Sequence, residues 1–220
     1  MTFDVATDGG NNGGGSTSLT FSHTVTGSDP ILFVGFVGDL IANPDLITGV
    51  TYNGVAMAQV RASNLAGCER WVYLYGLIAP ATGSHSVVIT SSGVQWVLAG
   101  AASYTGVSAV RNSTNSTSGT PATTWTTSLT PDTDACWIVL MEHARGATPT
   151  AGTGSTLRAS DAANTTWGLF DSNGSISPPS LYSMTTNRAS ATFATGHLLA
   201  AFSPAAPPTP GAIVFKLQVG

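Results

Sequence analysis

Two glutamates are all the chain has, and each stands next to a cation, in Glu69-Arg70 and in Glu142-His143-Ala144-Arg145. Paired carboxyl groups across a cleft are the machinery of glycoside hydrolysis. One protonates the leaving oxygen, the other serves as base or nucleophile, and their separation sets the stereochemistry. Nothing in the spacing of Glu69 and Glu142 brings them together. The simpler reading makes Glu69-Arg70 a solvated pair at a strand start and Glu142-His143 the polar end of a buried strand. His23 falls among apolar positions, where a satisfied core histidine is the ordinary occupant. Cys68 and Cys136 are too few and too far apart for a zinc knuckle or a disulfide framework, so they read as reduced thiols, with one long-range disulfide as the alternative. Asp8-Gly9-Gly10-Asn11-Asn12 offers oxygen ligands of the kind calcium takes, but without the spacing or closing glutamate of an EF-hand. It reads as the start of a glycine-rich loop. No HExxH, GxSxG, P-loop or CxxC pattern occurs. The expectation is a protein that is not an enzyme and uses no cofactor or metal.

Aromatic side chains offer a different chemistry, stacking on sugar rings. Trp71, Tyr73, Tyr75, Trp96, Trp125 and Trp167 are available for it. Their setting argues for burial, since Trp71, Tyr73, Tyr75 and Leu77 share one face of a strand whose other face carries Val72, Leu74 and Ile78. A strand apolar on both faces lies inside a sheet. Ile31–Val37 reads the same way. Val50–Met57 is a hairpin turning at Asn53-Gly54, the pair that accepts the two positive φ angles of a type I′ turn. Ser18–Thr26 alternates as a half-buried strand, and Phe3–Ala6 reads as a short edge strand. Ser86–Thr90 and Val94–Tyr104 read as two further strands. Arg111–Thr127 reads as a long connection ending in a strand, followed by strands at Ala135–Glu142, Trp167–Asp171, Leu181–Met184 and Ala191–Phe202. No segment holds a helical period over a useful length. The class is all-β: a single antiparallel β-sandwich of jelly-roll type with about ten to twelve strands.

The succession GVTYNGVAM, WVYLYGL, APATGSHSVVIT and LAGAASYTGV resembles a β-sandwich domain family of tailed-phage virion structural proteins and some bacterial surface proteins. The likeness extends upstream to Ile31–Val37 and downstream to His197–Phe202. The resemblance implies a virion structural protein, a capsid decoration protein or a tail or fibre component, whose partners are other virion proteins and copies of itself. Its motifs are turns and core patterns and carry no catalytic signature.

Composition narrows the partners. Of 220 residues only 8% are charged, against a usual quarter, and Ser, Thr, Gly and Ala stand in their place. The net charge is −4 with a single lysine, Lys216, so no basic stripe exists to neutralise nucleic-acid phosphates or meet anionic lipid. Neither nucleic acid nor membrane is expected as a partner. Met1–Ala6 has neither the basic nor the apolar stretch of a secretory leader. An extracellular-type composition without a leader fits a virion component released by lysis, and the virion is the expected location.

The chain divides into a sandwich over 1–203, a Pro-rich linker over 204–210 and a terminal strand over 211–220. The linker, PAAPPTP, favours extended polyproline geometry. Ile213, Val214, Phe215, Leu217 and Val219 give the terminal segment its apolar character and are the expected partner-binding residues. That strand either folds back on its own sheet or adds to a neighbouring chain. The alternative function is a carbohydrate-binding or adhesion module, with surface glycans as partner.

Overall fold

The computed structural model describes residues 1–39, 45–65, 70–144, 148–161, 167–190 and 195–206. The described residues hold β-strands and turns and no helix, and every strand pairing is antiparallel. The all-β, antiparallel, jelly-roll-type reading holds, but in place of the expected single sandwich of about ten to twelve strands the described residues form sixteen strands in two sandwiches, because the path is run twice.

The first run comprises β1 (Thr2–Asn11), β2 (Ser16–Val25), β3 (Ile31–Asp39), β4 (Ile47–Tyr52), β5 (Val55–Ala56), β6 (Ala58–Leu65), β7 (Arg70–Ile78) and β8 (Gly83–Thr105). An inner sheet has the order β6-β7-β3-β8-β1, and an outer ladder has β5-β4-β8-β2. Strand β8 belongs to both. Through Gln95 it pairs with β2 and β4, and from Trp96 onward with β3 and β1. The second run comprises β9 (Val107–Ser118), β10 (Thr124–Leu129), β11 (Trp137–Ala144), β12 (Thr150–Ala151), β13 (Thr156–Ser160), β14 (Trp167–Asp171), β15 (Tyr182–Asn187) and β16 (Thr195–Pro204). Its inner sheet has the order β13-β14-β11-β16-β9 and its outer ladder β10-β15-β12. Apart from β5, which has no counterpart, the two runs therefore match in order, with β15 and β16 doing separately what β8 does as one strand. Alternation of the chain between inner and outer sheets is the jelly-roll connection.

Four layers enclose three cores, and the period of two along each inner strand decides which core a residue enters. Ile31, Phe33 and Val37 of β3 meet Trp137, Val139 and Met141 of β11 in the central core between the inner sheets. Leu32, Val34 and Phe36 face the first outer ladder with Tyr52, Val87 and Ile89. Ile138 and Leu140 face the second with Met184 and Leu129. Close approach of the inner sheets requires two glycines. A Cβ on Gly35 would stand 2.6 Å from Met141 Sδ, and one on Gly100 would overlap the Trp167 ring.

The agreement extends to register. One row across the first inner sheet reads Gln59, Tyr75, Val34, Ala101, Thr7, and the matching row of the second reads Leu157, Phe170, Leu140, Leu199, Thr114. Val60 is bulged out of β6 beside this row, and Arg158 out of β13 at the same place. Asp4-Val5 bulge from β1 where Arg111-Asn112 bulge from β9. Bulges are local features fixed by particular residues, so two coinciding in both runs mark a shared plan. The inner sheets also meet as two-fold mates do, β1 against β13 and β9 against β6.

Several expectations change. Asp8–Asn11 continues β1, and the glycine turn begins only afterwards. Ser86–Thr90 and Val94–Tyr104 are parts of one 23-residue strand, because each half has its own ladder partners and nothing breaks the backbone between them. The first part of Arg111–Thr127, as far as Ser118, is strand β9, an edge strand on which Ser, Thr and Asn are tolerated because one side is open. Asn53 and Gly54 have φ of 49° and 75°, as the expected hairpin requires. From residue 207 onward, the linker and Ile213, Val214, Phe215, Leu217 and Val219 lie outside the described residues.

Candidate functional site

Glu142, the better of the two candidate carboxylates, sits on the face of β11 that follows Ile138 and Leu140 into the second outer core and is wholly buried. Arg188, just past β15, reaches it with Nη2 at 2.6 Å and Nε at 3.0 Å, both donating to Oε1. The guanidinium also donates from Nη1 to Thr195 Oγ1 and to the Ala122 carbonyl. His197 on β16 lies 3.8 Å from the carboxylate, and its two ring nitrogens are each 3.0 Å from a hydroxyl, Thr127 Oγ1 and Thr186 Oγ1. Hydrolysis needs a carboxyl group that substrate and water can reach. This one is ion-paired inside a sealed layer, so it ties β10, β11, β15 and β16 together. Such a pair is costly to break rather than strongly stabilising to have. Arg188 and His197 escaped the sequence reading, since an arginine after a Thr-rich strand and a histidine beside a glycine carry no pattern; only the strand order brings them to Glu142. Glu69 and Arg145 lie outside the described residues. Arg70 is buried at the start of β7 rather than solvated.

A second polar chain crosses the first half. His23, in the apolar series of β2, takes a hydrogen bond on Nδ1 from Thr7 Oγ1 at 2.8 Å, and its Nε2 lies 3.1 Å from Ser103 Oγ. Ser103 Oγ donates to Asp4 Oδ2 at 2.8 Å, so it accepts from His23. The order acid, hydroxyl, imidazole is the wrong one for a nucleophilic triad, where the imidazole must lie between acid and hydroxyl. Burial pushes the imidazole down to about 4, with the Asp4 charge opposing, and the ring is neutral above that. Burial also acts to raise Asp4, but hydrogen bonds from Thr26 and Ser103 outweigh it and leave the carboxyl below its usual value. This is the satisfied core histidine that the sequence suggests.

A third cluster joins the halves. Arg158 donates from Nε to Asp171 Oδ2 at 2.7 Å and from Nη2 to Asn173 Oδ1 at 2.6 Å, and its guanidinium lies 4.1 Å above the Phe3 ring. The Tyr104 hydroxyl, buried beside Asp171, is held well above its ordinary value, first by burial and then by that carboxylate.

Most of the remaining candidates are spent structurally. Asp8, Asn11 and Asn12 turn their side-chain oxygens onto the backbone N–H groups of Gly10, Gly13 and Gly14. Cys136 is a buried free thiol, and Cys68 lies outside the described residues. Tyr73, Tyr75 and Trp167 are core, and Trp71 stacks on Tyr73 at 6.0 Å. Trp96 is 41% exposed and stands over Gly14.

A groove of about 650 Å³ opens where β6 and the end of β7 meet β9, lined by Val60, Gly76, Leu77, Ile78, Ser108 and Val110 among others. It is mostly apolar, its polar side chains being Gln59, Ser108, Ser113 and Arg111, and Arg111 is paired with Asp132.

No family model matches the chain, and no curated protein matches it. Among solved structures, the major capsid protein P2 from Bacteriophage PM2 is similar with a TM-score of 0.30 and 8% identity, over 94% of this chain and 96% of that one. At that level two chains share strand content and little more.

Proposed function

We propose that this chain is a non-enzymatic structural component of a phage virion, a capsid decoration protein or a tail or fibre component, acting through contacts with other virion proteins and with copies of itself. The observation that carries the reading is the body itself. Two jelly-roll sandwiches are locked face to face over one apolar core, and Glu142, His23, His197 and Asp171 are buried in the networks that hold them. Jelly rolls serve capsids, lectins and enzymes alike, so the fold alone assigns nothing. The interior use of Glu142, His23 and His197 is what weighs against catalysis, and the resemblance of the GVTYNGVAM and WVYLYGL segments adds to the structural reading.

The test is co-sedimentation of purified protein with particles lacking it, alongside native mass by light scattering. Saturable binding at a fixed number of copies per particle is the expected result. A protein that ignores particles while a glycan array captures it would overturn the proposal in favour of a carbohydrate-binding module.

A further inference from the structure

The groove between β6, β7 and β9 lies at a position that the other half of the molecule fills. The matched registers make Val110 the mate of Phe3, Val60 the mate of Arg158 and Gly76 the mate of Asp171. At the β13–β1 edge those three residues form a plug in which Asp171 holds the Arg158 guanidinium against the Phe3 ring. At the β6–β9 edge the same positions carry two valines and a glycine. A Cβ on Gly76 would lie 3.1 Å from Val60 and 3.5 Å from Val110, so these three small residues are neighbours there. The groove is the volume that a plug would occupy, and Ile78, which lines it, is 39% exposed.

We propose that the groove seats the chain's own C-terminal segment, Ile213–Val219, with Phe215 entering the space that Phe3 and Arg158 fill at the mate position. Three observations select this occupant. The described chain ends beside the groove: Pro204 pairs with Val107, the Ala205 N–H donates to the Gly106 carbonyl, and Ser108, which lines the groove, donates from Oγ to the Pro204 carbonyl. Fourteen residues follow Ala206, a reach of up to roughly 45 Å at about 3.3 Å per residue, ample to return along β9. The segment IVFKLQV is apolar with one aromatic, Phe215, as the mate plug has Phe3.

Amide hydrogen exchange of the full-length chain, read by mass spectrometry over residues 207–220, tests the proposal. The parent is expected to protect Ile213–Val219, equally at micromolar and at hundredfold higher protein. The groove-filling variant Val60→Arg/Gly76→Asp/Val110→Phe copies the mate plug and is expected to release the segment, raising its exchange about tenfold or more. Phe215→Ser, which leaves the folded body untouched, is expected to do the same and guards against misfolding of the triple variant. Exchange at free-peptide rates in the parent would overturn the proposal. So would protection that rises with protein concentration, since the occupant would then be a second copy, as would protection that survives in Phe215→Ser.

Discussion

Single residues carry opposite charges of meaning here, since those that look chemical in the sequence are structural in the fold. Glu142 is the clearest. Glu142→Ala leaves the Arg188 guanidinium buried without its carboxylate, and urea unfolding should show a loss of about 3–5 kcal/mol. Glu142→Leu with Arg188→Met should recover most of that loss. Recovery would set the pair down as a fastener; a double variant as unstable as the single one would mean that the threonine and histidine network depends on it. His23 makes a pH prediction whose sign is fixed by its depressed value. The unfolded ring takes up a proton near 6.5 and the folded ring only near 4. The unfolded state therefore binds more protons in that window, and the stability present above it is lost as pH falls through it, at about 1.4 kcal/mol per pH unit at most. Stability measured from pH 7 to 4 should fall less steeply in His23→Gln than in the parent. Parallel profiles would show that His23 titrates alike in both states. The sequence placed His23 correctly because an alternating strand reports the face of each residue. It could not place Arg188 or His197, whose partner is set by strands distant in sequence.

At the scale of elements, legibility followed locality. Strand β3, strand β7 and the Asn53-Gly54 hairpin were readable because apolar runs on both faces and a two-residue turn are written in adjacent residues. Strand β9 was not, because its Ser, Thr and Asn residues are strand only by pairing with β16, and the unity of β8 was hidden because its two halves belong to different ladders. The glycines of the central core were equally silent. Gly100 reads as a weak point in a strand, yet the Trp167 ring occupies the place of its missing side chain. Gly100→Ala should therefore cost about 1–3 kcal/mol by overpacking, measured by denaturant unfolding. Adding Trp167→Phe should return part of it, since a smaller ring makes room. If the alanine is neutral, the inner sheets are less tightly apposed at this point than the structure shows.

The molecule as a whole is a two-fold arrangement made within one chain. Its largest core belongs to neither half, since Ile31, Phe33 and Leu74 come from one and Val139, Leu198 and Phe202 from the other. Fragments 1–106 and 107–206 should each expose that face, bind a hydrophobic dye and associate when alone, and should recover a soluble one-to-one complex when co-expressed. Independent solubility of either fragment would show that the halves are separate domains in contact. The duplication was not legible because several matched positions carry unlike residues, Gly35 with Met141 and Gly100 with Leu198 among them, while the register that reveals it exists only between strands.

A newly made chain whose halves share one register offers each strand two sheets to join. β1 could be tried against β16 and β9 against β8, with backbone bonds equally good in either pairing. What separates the right choice from the wrong one is the disagreement of side chains at matched rows: Gly100 against Leu198, Gly35 against Met141, Gly76 against Asp171. A strand in the wrong sheet would bring a ring or a charge where its neighbours have room only for hydrogen, or leave a void. The divergence that hides the duplication from a reader of the sequence thus guards the chain against exchanging its halves as it refolds.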